Sequence, residues 1–278
     1  MTAPAASPAT GQDAPGPDRT APLLEVHDIA KSYGSGDTVR EVLGGIRFDV
    51  HDREFVTVVG PSGAGKTTLL RCLAGLLAPD SGEVRLAGTP VHAPPEGLAL
   101  VFQDYSRSLL PWMSVLDNIQ LPLRRRGTSA TERRAAAQEA LSAVGLAEAG
   151  RLYPWQMSGG MQQRAAIARA LACAPRVLVM DEPFASVDAQ TRADLEDLTL
   201  RLQRQLGMTV VLVTHDMDEA VYLADRVVVL SGAPTTVSEI VPVDLGTERE
   251  QMATKLLPAF AELRAHVLGL IRRPAPAR

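Results

Sequence analysis

Lysine is scarce in this chain. Only Lys31, Lys66 and Lys255 occur among 28 basic residues, and the rest are arginine. The net charge of −4 lacks the positive surplus by which a protein covers nucleic-acid phosphates, so no nucleic-acid partner is expected. Cysteine is nearly absent too. Cys72 and Cys173 offer neither a disulfide framework nor a zinc site, and both read as buried thiols in predicted helices. No apolar run approaches the roughly 18 residues needed to span a bilayer. The N-terminus lacks the charged-then-apolar pattern of a secretory signal. These absences point to a cytosolic protein, held at a membrane only by a partner.

What is present reads as an α/β protein. Residues 1–22 are rich in Ala, Pro, Gly, Thr and Ser with no apolar period, and such composition predicts a disordered tail. From Leu23, β-type segments follow: "LLEVHDI", "IRFDV", "EFVTVV", "EVRLAG" and "LALVF". Residues 104–164 carry helical patterns instead, around 114–120, 131–144 and 159–173, and read as a helical insertion. Strands return as "RVLVM" (176–180), "TVVLVT" (209–214) and "RVVVL" (226–230). Continuous Val/Leu runs suit parallel strands buried on both faces. Their alternation with helices predicts a doubly wound sheet that binds ligands at its strand C-terminal ends. Beyond residue 235, Leu256, Phe260, Leu263, Val267 and Leu270 fall at helical spacing and predict an amphipathic helix. The last residues are expected to fray, and no internal repeat is found.

"GPSGAGKT" at 60–67 fits the phosphate-binding loop pattern, with a strand before it and a helix after. Gly60, Gly63 and Gly65 let successive N–H groups converge on phosphate oxygens. Pro61, Ser62, Ala64 and Thr68 complete the loop and its helix start. Lys66 is expected to neutralise phosphate charge, and Thr67 to place its hydroxyl on Mg²⁺. The bland alternative is a Gly-rich turn with a solvated lysine.

"RVLVMDEP" at 176–183 is a buried strand ending in two carboxylates. Adjacent strand side chains point to opposite faces, so the two differ in role. Asp181 is placed to hold Mg²⁺ through water, and Glu182 to act as general base on an attacking water. His215 ends the strand in "VVLVTHD" and is positioned for a γ-phosphate. Gln103 follows "LALVF" and is a candidate contact to Mg²⁺ and the lytic water.

A second glycine-rich helix start, Ser158-Gly159-Gly160, lies far along the chain from the first. A hydroxyl, bare N–H groups and a helix dipole suit an anion there. One nucleotide needs one such loop, which suggests that two copies arranged head to tail share nucleotides, each copy's serine-glycine start capping the triphosphate of the other. An N-capped helix without ligand is the bland alternative.

Together these motifs resemble the ATPase subunit of an ATP-binding cassette (ABC) transporter, over about residues 23–235. The resemblance rests on "GPSGAGKTT", Gln103, "MSGGM", "VLVMDEP", "SVD" and His215. It implies a P-loop NTPase with a RecA-like core, an antiparallel β subdomain, a helical insertion and a C-terminal extension over 236–278. It also implies that Tyr33 stacks on adenine, that Met161 closes the signature and that Asp188 belongs to the D-loop, with ATP and Mg²⁺ as cofactors. Met157 and Met161 depart from the usual Leu and Gln, and Val187 from the usual Leu; Met157 for Leu conserves volume. "LLPWMSVLDNI" (109–119) and the tail "FAELRAHVLGLI" resemble importers of nitrate, sulfonates, taurine and bicarbonate. That implies a dimer on the cytoplasmic side of a membrane permease, with Leu110, Pro111, Trp112 and Met113 as an apolar rim toward it, and an extracytoplasmic substrate-binding protein beyond. Packing of Trp112 inside the insertion is an equal expectation. The rivals are a non-transport cassette ATPase, an importer of another small organic such as a pyrimidine precursor, and a P-loop kinase or GTPase; the last would not need "SGGMQQR".

Overall fold

The computed structural model describes residues 21–104, 108–125 and 127–272. The predicted disorder of residues 1–20 and the fraying of 273–278 lie outside the described residues.

Among the described residues ten strands form two sheets. β1 (Pro22–Tyr33), β2 (Arg40–His51), β4 (Ser81–Leu86) and β5 (Thr89–Pro90) make an antiparallel sheet in the order β2-β1-β4-β5. The larger sheet contains β3 (Phe55–Val59), β6 (Leu98–Val101), β7 (Val177–Asp181), β8 (Thr209–Val213), β9 (Arg226–Ser231) and β10 (Thr236–Pro242). Its order is β10-β9-β3-β8-β7-β6, with every pair parallel except β10 on β9.

β3, β7 and β8 are buried at every position, as a parallel sheet covered on both faces requires. Alternate residues feed two separate cores. Val56, Val58, Val211, Val213, Val177 and Val179 pack toward Leu69, Leu70 and Leu73 of α1 (Lys66–Leu73) and the antiparallel sheet. Phe55, Val59, Val210, Leu212, Leu178 and Met180 face the other way. There they meet α5 (Ala189–Leu206), α6 (Met217–Leu223) and the helical insertion of α2 (Val115–Gln120), α3 (Ala130–Ala143) and α4 (Gly159–Leu171). Ser129 and Glu132 form a reciprocal capping box that starts α3.

The tail differs from the single predicted helix. α7 (Gln251–Lys255) stops, and α8 (Pro258–Arg272) starts afresh at a proline, a residue favoured in a helix's first turn. Phe260, Val267 and Leu270 are buried on α8, whereas Leu256 lies in the break and is exposed. Cys72 is buried as expected; Cys173 is only half-buried, just beyond the end of α4.

An ion pair between the buried Glu54 and the half-buried Arg226 ties the base of the large sheet together. Glu54 is 2% exposed and receives two hydrogen bonds from Arg226, Nε to Oε1 at 2.5 Å and Nη2 to Oε2 at 2.8 Å. Removing Arg226 leaves the buried Glu54 carboxylate with the His51 N–H alone among these contacts, at a cost below the roughly 3–5 kcal/mol of a fully buried pair. Arg226→Met is expected to lower the urea midpoint accordingly, and Glu54→Gln in the same chain to recover part of the loss.

Candidate nucleotide-hydrolysis site

The site begins where β3 turns into α1. Gly63 and Gly65 adopt φ of 78° and 75°, left-handed values that glycine adopts without steric cost. A Cβ on Gly65 would lie 2.5 Å from Val42 Cγ1, and one on Gly60 would lie 3.0 Å from Leu230. The loop is therefore pressed against β2 and β9. Ala64 is buried, while Ser62 and Thr67 are exposed and Pro61 is half-buried. Lys66 is buried, and its Nζ donates to Gly60 O at 2.9 Å and Pro61 O at 3.1 Å. Burial pushes its pKa down, against the opposing pull of Glu182 and Asp181. The other two lysines are paired with carboxylates, Lys31 with Asp80 and Lys255 with Glu196. Lys66 has only carbonyl acceptors among the described residues. Tyr33 closes one side: it is 43% exposed, and its hydroxyl lies 3.3 Å from Thr68 Oγ1.

The two acids diverge, but not by strand alternation: β7 ends at Asp181, and Glu182 lies beyond it. Asp181 is buried and hydrogen-bonded to the Thr67 side chain. Burial pushes its carboxyl up from the usual range, and the Thr67 bond pulls it partly back. Glu182 takes a left-handed φ of 42°, and its N–H donates to Val213 O at 2.8 Å. Its Oε2 accepts from Gln103 Nε2 at 3.1 Å and meets His215 Nδ1 at 3.0 Å. Glu182, Gln103 and His215 thus form one constellation, while Asp181, Thr67 and Lys66 lie together on the loop side.

Residues 158–161 stand elsewhere. Ser158 caps α4 by accepting from Met161 N at 3.3 Å. A Cβ on Gly160 would lie 2.5 Å from Thr191 Cγ2, so this helix start abuts the start of α5. Asp188 caps α5 through Thr191 N at 3.0 Å. Among the described residues no hydrogen bond joins 158–161 to 60–68. Met157 is buried, and Met161 and Val187 pack against the same core, so all three departures from the usual residues keep an apolar role.

Three groups escaped sequence reading. Asn118 is fully buried; its Oδ1 accepts from Leu110 N at 2.7 Å, and its Nδ2 donates to the carbonyls of Leu110, Met113 and Ser114. It pins the turn that displays Trp112, which is 72% exposed and so does not pack within the insertion. Arg192 and Glu219 lie under the His215 loop. Arg192 follows Asp188 by four, the spacing of one helical turn, and Glu219 lies in the first turn of the helix that follows His215.

A glycine loop, an acid pair and a histidine aligned along one edge of a parallel sheet define a P-loop nucleoside-triphosphate hydrolase. The family model described as ABC transporter matches residues 43–185. The chain is 43% identical over 255 residues to an uncharacterised ABC transporter ATP-binding protein of Methanocaldococcus jannaschii, covering 92% of this chain and 93% of that one. It is 42% identical to the taurine import ATP-binding protein TauB of Pseudomonas putida, covering 90% and 95%. The TauB of Chromobacterium violaceum is 49% identical over 192 residues, 69% and 73% of the two chains. A solved dimer of the ATP-binding cassette MJ0796, in a post-hydrolysis state with ADP and Pi, superposes with a TM-score of 0.71 at 31% identity, covering 80% of this chain and 99% of that one. The chain belongs to the ABC transporter family, and it is an ATP-binding, ATP-hydrolysing subunit.

The two left-handed glycines separate space from strain. Gly63→Ala meets nothing within 4 Å, whereas Gly65→Ala meets Val42. Gly63→Ala is expected to bear only the left-handed penalty of about 1–2 kcal/mol. Gly65→Ala should displace the loop and weaken ATP binding at least about tenfold more, as measured by calorimetry.

Proposed function

We propose that this chain energises an importer of a small anion, a sulfonate, nitrate or related solute, by hydrolysing ATP between two copies of itself beneath a membrane permease. One observation carries the import reading: relatives at 41–49% identity are named for taurine import. The dimer is supported by the dimeric cassette above. It is also supported by the separation of the exposed Ser158 helix start from the loop that holds Lys66.

In this reading the backbone of Gly60–Thr68 and Lys66 grip the triphosphate, and Tyr33 stacks on adenine. Ser158, Gly159, Gly160 and Met161 of the second copy close on the γ-phosphate, with Asp188 beside them. Phosphate oxygens replace the Gly60 and Pro61 carbonyls on Lys66. The Asp181 carboxylate and the Thr67 hydroxyl, together with the Gln103 amide oxygen, are the hard oxygen donors that Mg²⁺ takes. The Asp181 carboxyl, held high by burial, gains most from a dication. Thr67, Asp181 and Gln103 would therefore hold Mg²⁺, which supplies charge neutralisation on the phosphates. Glu182 takes the proton of the attacking water through its Oε1, because its Oε2 is occupied by Gln103 and His215. His215 meets the γ-phosphate.

The exposed Trp112, held up by Asn118, with Leu110, Pro111 and Met113 is the permease contact, consistent with the aromatic enrichment of interfaces. Among the described residues no helix is long and apolar enough to cross a membrane, which fits a peripheral subunit on the cytoplasmic face. A substrate-binding protein delivers the solute on the far side. In this reading the chain comprises a cassette over about 23–235, with the helical insertion within it, and a C-terminal extension over 236–278.

The solute is tested by placing the chain with its permease in proteoliposomes and adding its binding protein loaded with taurine, nitrate or a pyrimidine precursor. Stimulated ATP hydrolysis with an anion supports the proposal; stimulation by the pyrimidine alone replaces it. Glu182→Gln is expected to keep ATP affinity within about threefold, lose turnover by about 100-fold or more and elute as a dimer with ATP on size exclusion. Normal turnover in this variant removes Glu182 as the base, and a monomer removes the sandwich.

A further inference from the structure

The His215 loop rests on a buried polar cluster that none of the recognised motifs contains. Glu219, on α6, is 4% exposed. Its Oε2 accepts from Thr214 Oγ1 at 2.6 Å, and the same hydroxyl oxygen accepts from Asp216 N at 3.0 Å. The residues on both sides of His215 are thereby fixed by one carboxylate. Arg192 reaches in from α5: its Nη1 donates to Asp216 Oδ2 at 3.3 Å, and its Nε lies 3.7 Å from Glu219 Oε1. Arg192 is one turn along from Asp188, whose carbonyl accepts its N–H at 2.9 Å. A further shell stands behind. Glu196 of α5 is buried, with Gln251 and Lys255 of α7 upon it.

We propose that Arg192 and Glu219 are positioning residues for ATP hydrolysis: together they hold the backbone of Thr214–Asp216 so that His215 reaches Glu182, and they lock that loop to the Asp188 end of α5. This inference rests on the proposed role of His215 and deepens it. A planar guanidinium that donates to Asp216 of the loop and lies in ion-pair range of Glu219 at the start of the following helix spans both in a way a lysine ammonium does not. Positioning of this kind acts on the reacting geometry, where a displacement near 1 Å costs about 100-fold in rate. It leaves the grip of the Gly60–Thr68 loop on nucleotide unchanged.

The cluster also carries a signature in stability. Burial first, then the neighbouring Asp216 and Glu196 charges, push the Glu219 carboxyl up to about 7; Thr214 and Arg192 act the other way. Lys255 faces Glu196 from α7. A carboxyl raised on folding contributes stability while it is protonated, and that contribution fades as pH climbs from its unfolded pKa, about 4.3, through 7. Ionising Glu219, which becomes predominant only above neutral pH, therefore works against the chain's stability. A residue kept only for stability shows the opposite balance.

Glu219→Gln and Arg192→Lys test this in the full chain, each measured for kcat, KM for ATP and melting temperature at pH 5 and pH 8. We expect kcat to fall about tenfold or more in each while KM stays within about threefold. We also expect Glu219→Gln to melt no lower than the parent at pH 8. A parental kcat in either variant overturns the pairing. A rise in KM that matches the loss of kcat, or a lower melting temperature of Glu219→Gln at pH 8, makes the cluster merely structural and also overturns it. His215→Ala is the control for the underlying reading. If it turns over normally the role of His215 falls; if it is inactive while the two variants are not, only the present inference falls.

Discussion

The register of three parallel strands is the constraint on which the rest depends. Val58 of β3 lies beside Val213 of β8, and Val213 lies beside Asp181 of β7. The three strands therefore end in line. Gly60, Glu182 and His215 each follow within two residues of that line, which brings phosphate loop, acid and histidine to one edge before any side chain touches another. A slip of one residue would move a group about 3.3 Å along the strand and turn it to the opposite face. Here both faces of each strand are packed, one against α1 and the antiparallel sheet, the other against α5, α6 and the insertion. A slip would cost burial on both sides at once, so packing remote from the nucleotide fixes the geometry next to it.

Along that edge the chain gives up stability. Lys66 and Asp181 are both buried, and burial works against the charge of each; the same burial opposes the charge of Glu219 beneath the histidine loop. Backbone strain alone does not mark the site, because Asp28, Arg53, Ala87 and Ala174 share positive φ with Glu182. The others lie at turns and bulges; the β1–β2 register, for instance, shifts between Val26 and Ile29 around Asp28. Glu182 differs because the strained backbone aims a carboxylate at two polar partners, Gln103 and His215. Strain in combination with convergence is what distinguishes a working residue from a turn.

Much of this was legible in the sequence, for reasons that also explain what was not. The buried strands announce themselves as Val/Leu runs, and the phosphate loop, the Asp-Glu pair and His215 each follow one directly. The antiparallel strands are harder to read. β1 and β2 each run for 12 residues, but bulges break their alternation and charged residues dot their exposed faces, so only fragments stand out. β10 is an edge strand exposed over much of its length, and Val/Ile spacing there is too sparse to announce it. Leu256 fits the helical period of the tail, yet Pro258 restarts the helix and leaves it in solvent. Asn118, Arg192, Glu196 and Glu219 are polar residues on helices, a composition that ordinarily denotes a solvated face. Only the tertiary contacts reveal that Asn118, Glu196 and Glu219 are buried.

The answer to why one chain carries two glycine-rich helix starts lies in how the second is mounted. Gln162 Nε2 donates to the carbonyls of Pro154 at 3.0 Å and Met157 at 3.2 Å, holding the turn that leads into Ser158. Gly160 then lets α4 approach Thr191, and Thr191 itself donates through N and Oγ1 to Asp188. The exposed groups of Ser158 and Asp188 are thereby fixed to one another as a single edge. From that edge one helical turn of α5 leads to Arg192, and Arg192 leads to the loop of His215. In the proposed dimer the edge faces the partner's nucleotide while the histidine faces the chain's own. The two are joined within one chain by a turn of α5 and the Arg192–Asp216 hydrogen bond, without any need for the nucleotides to meet.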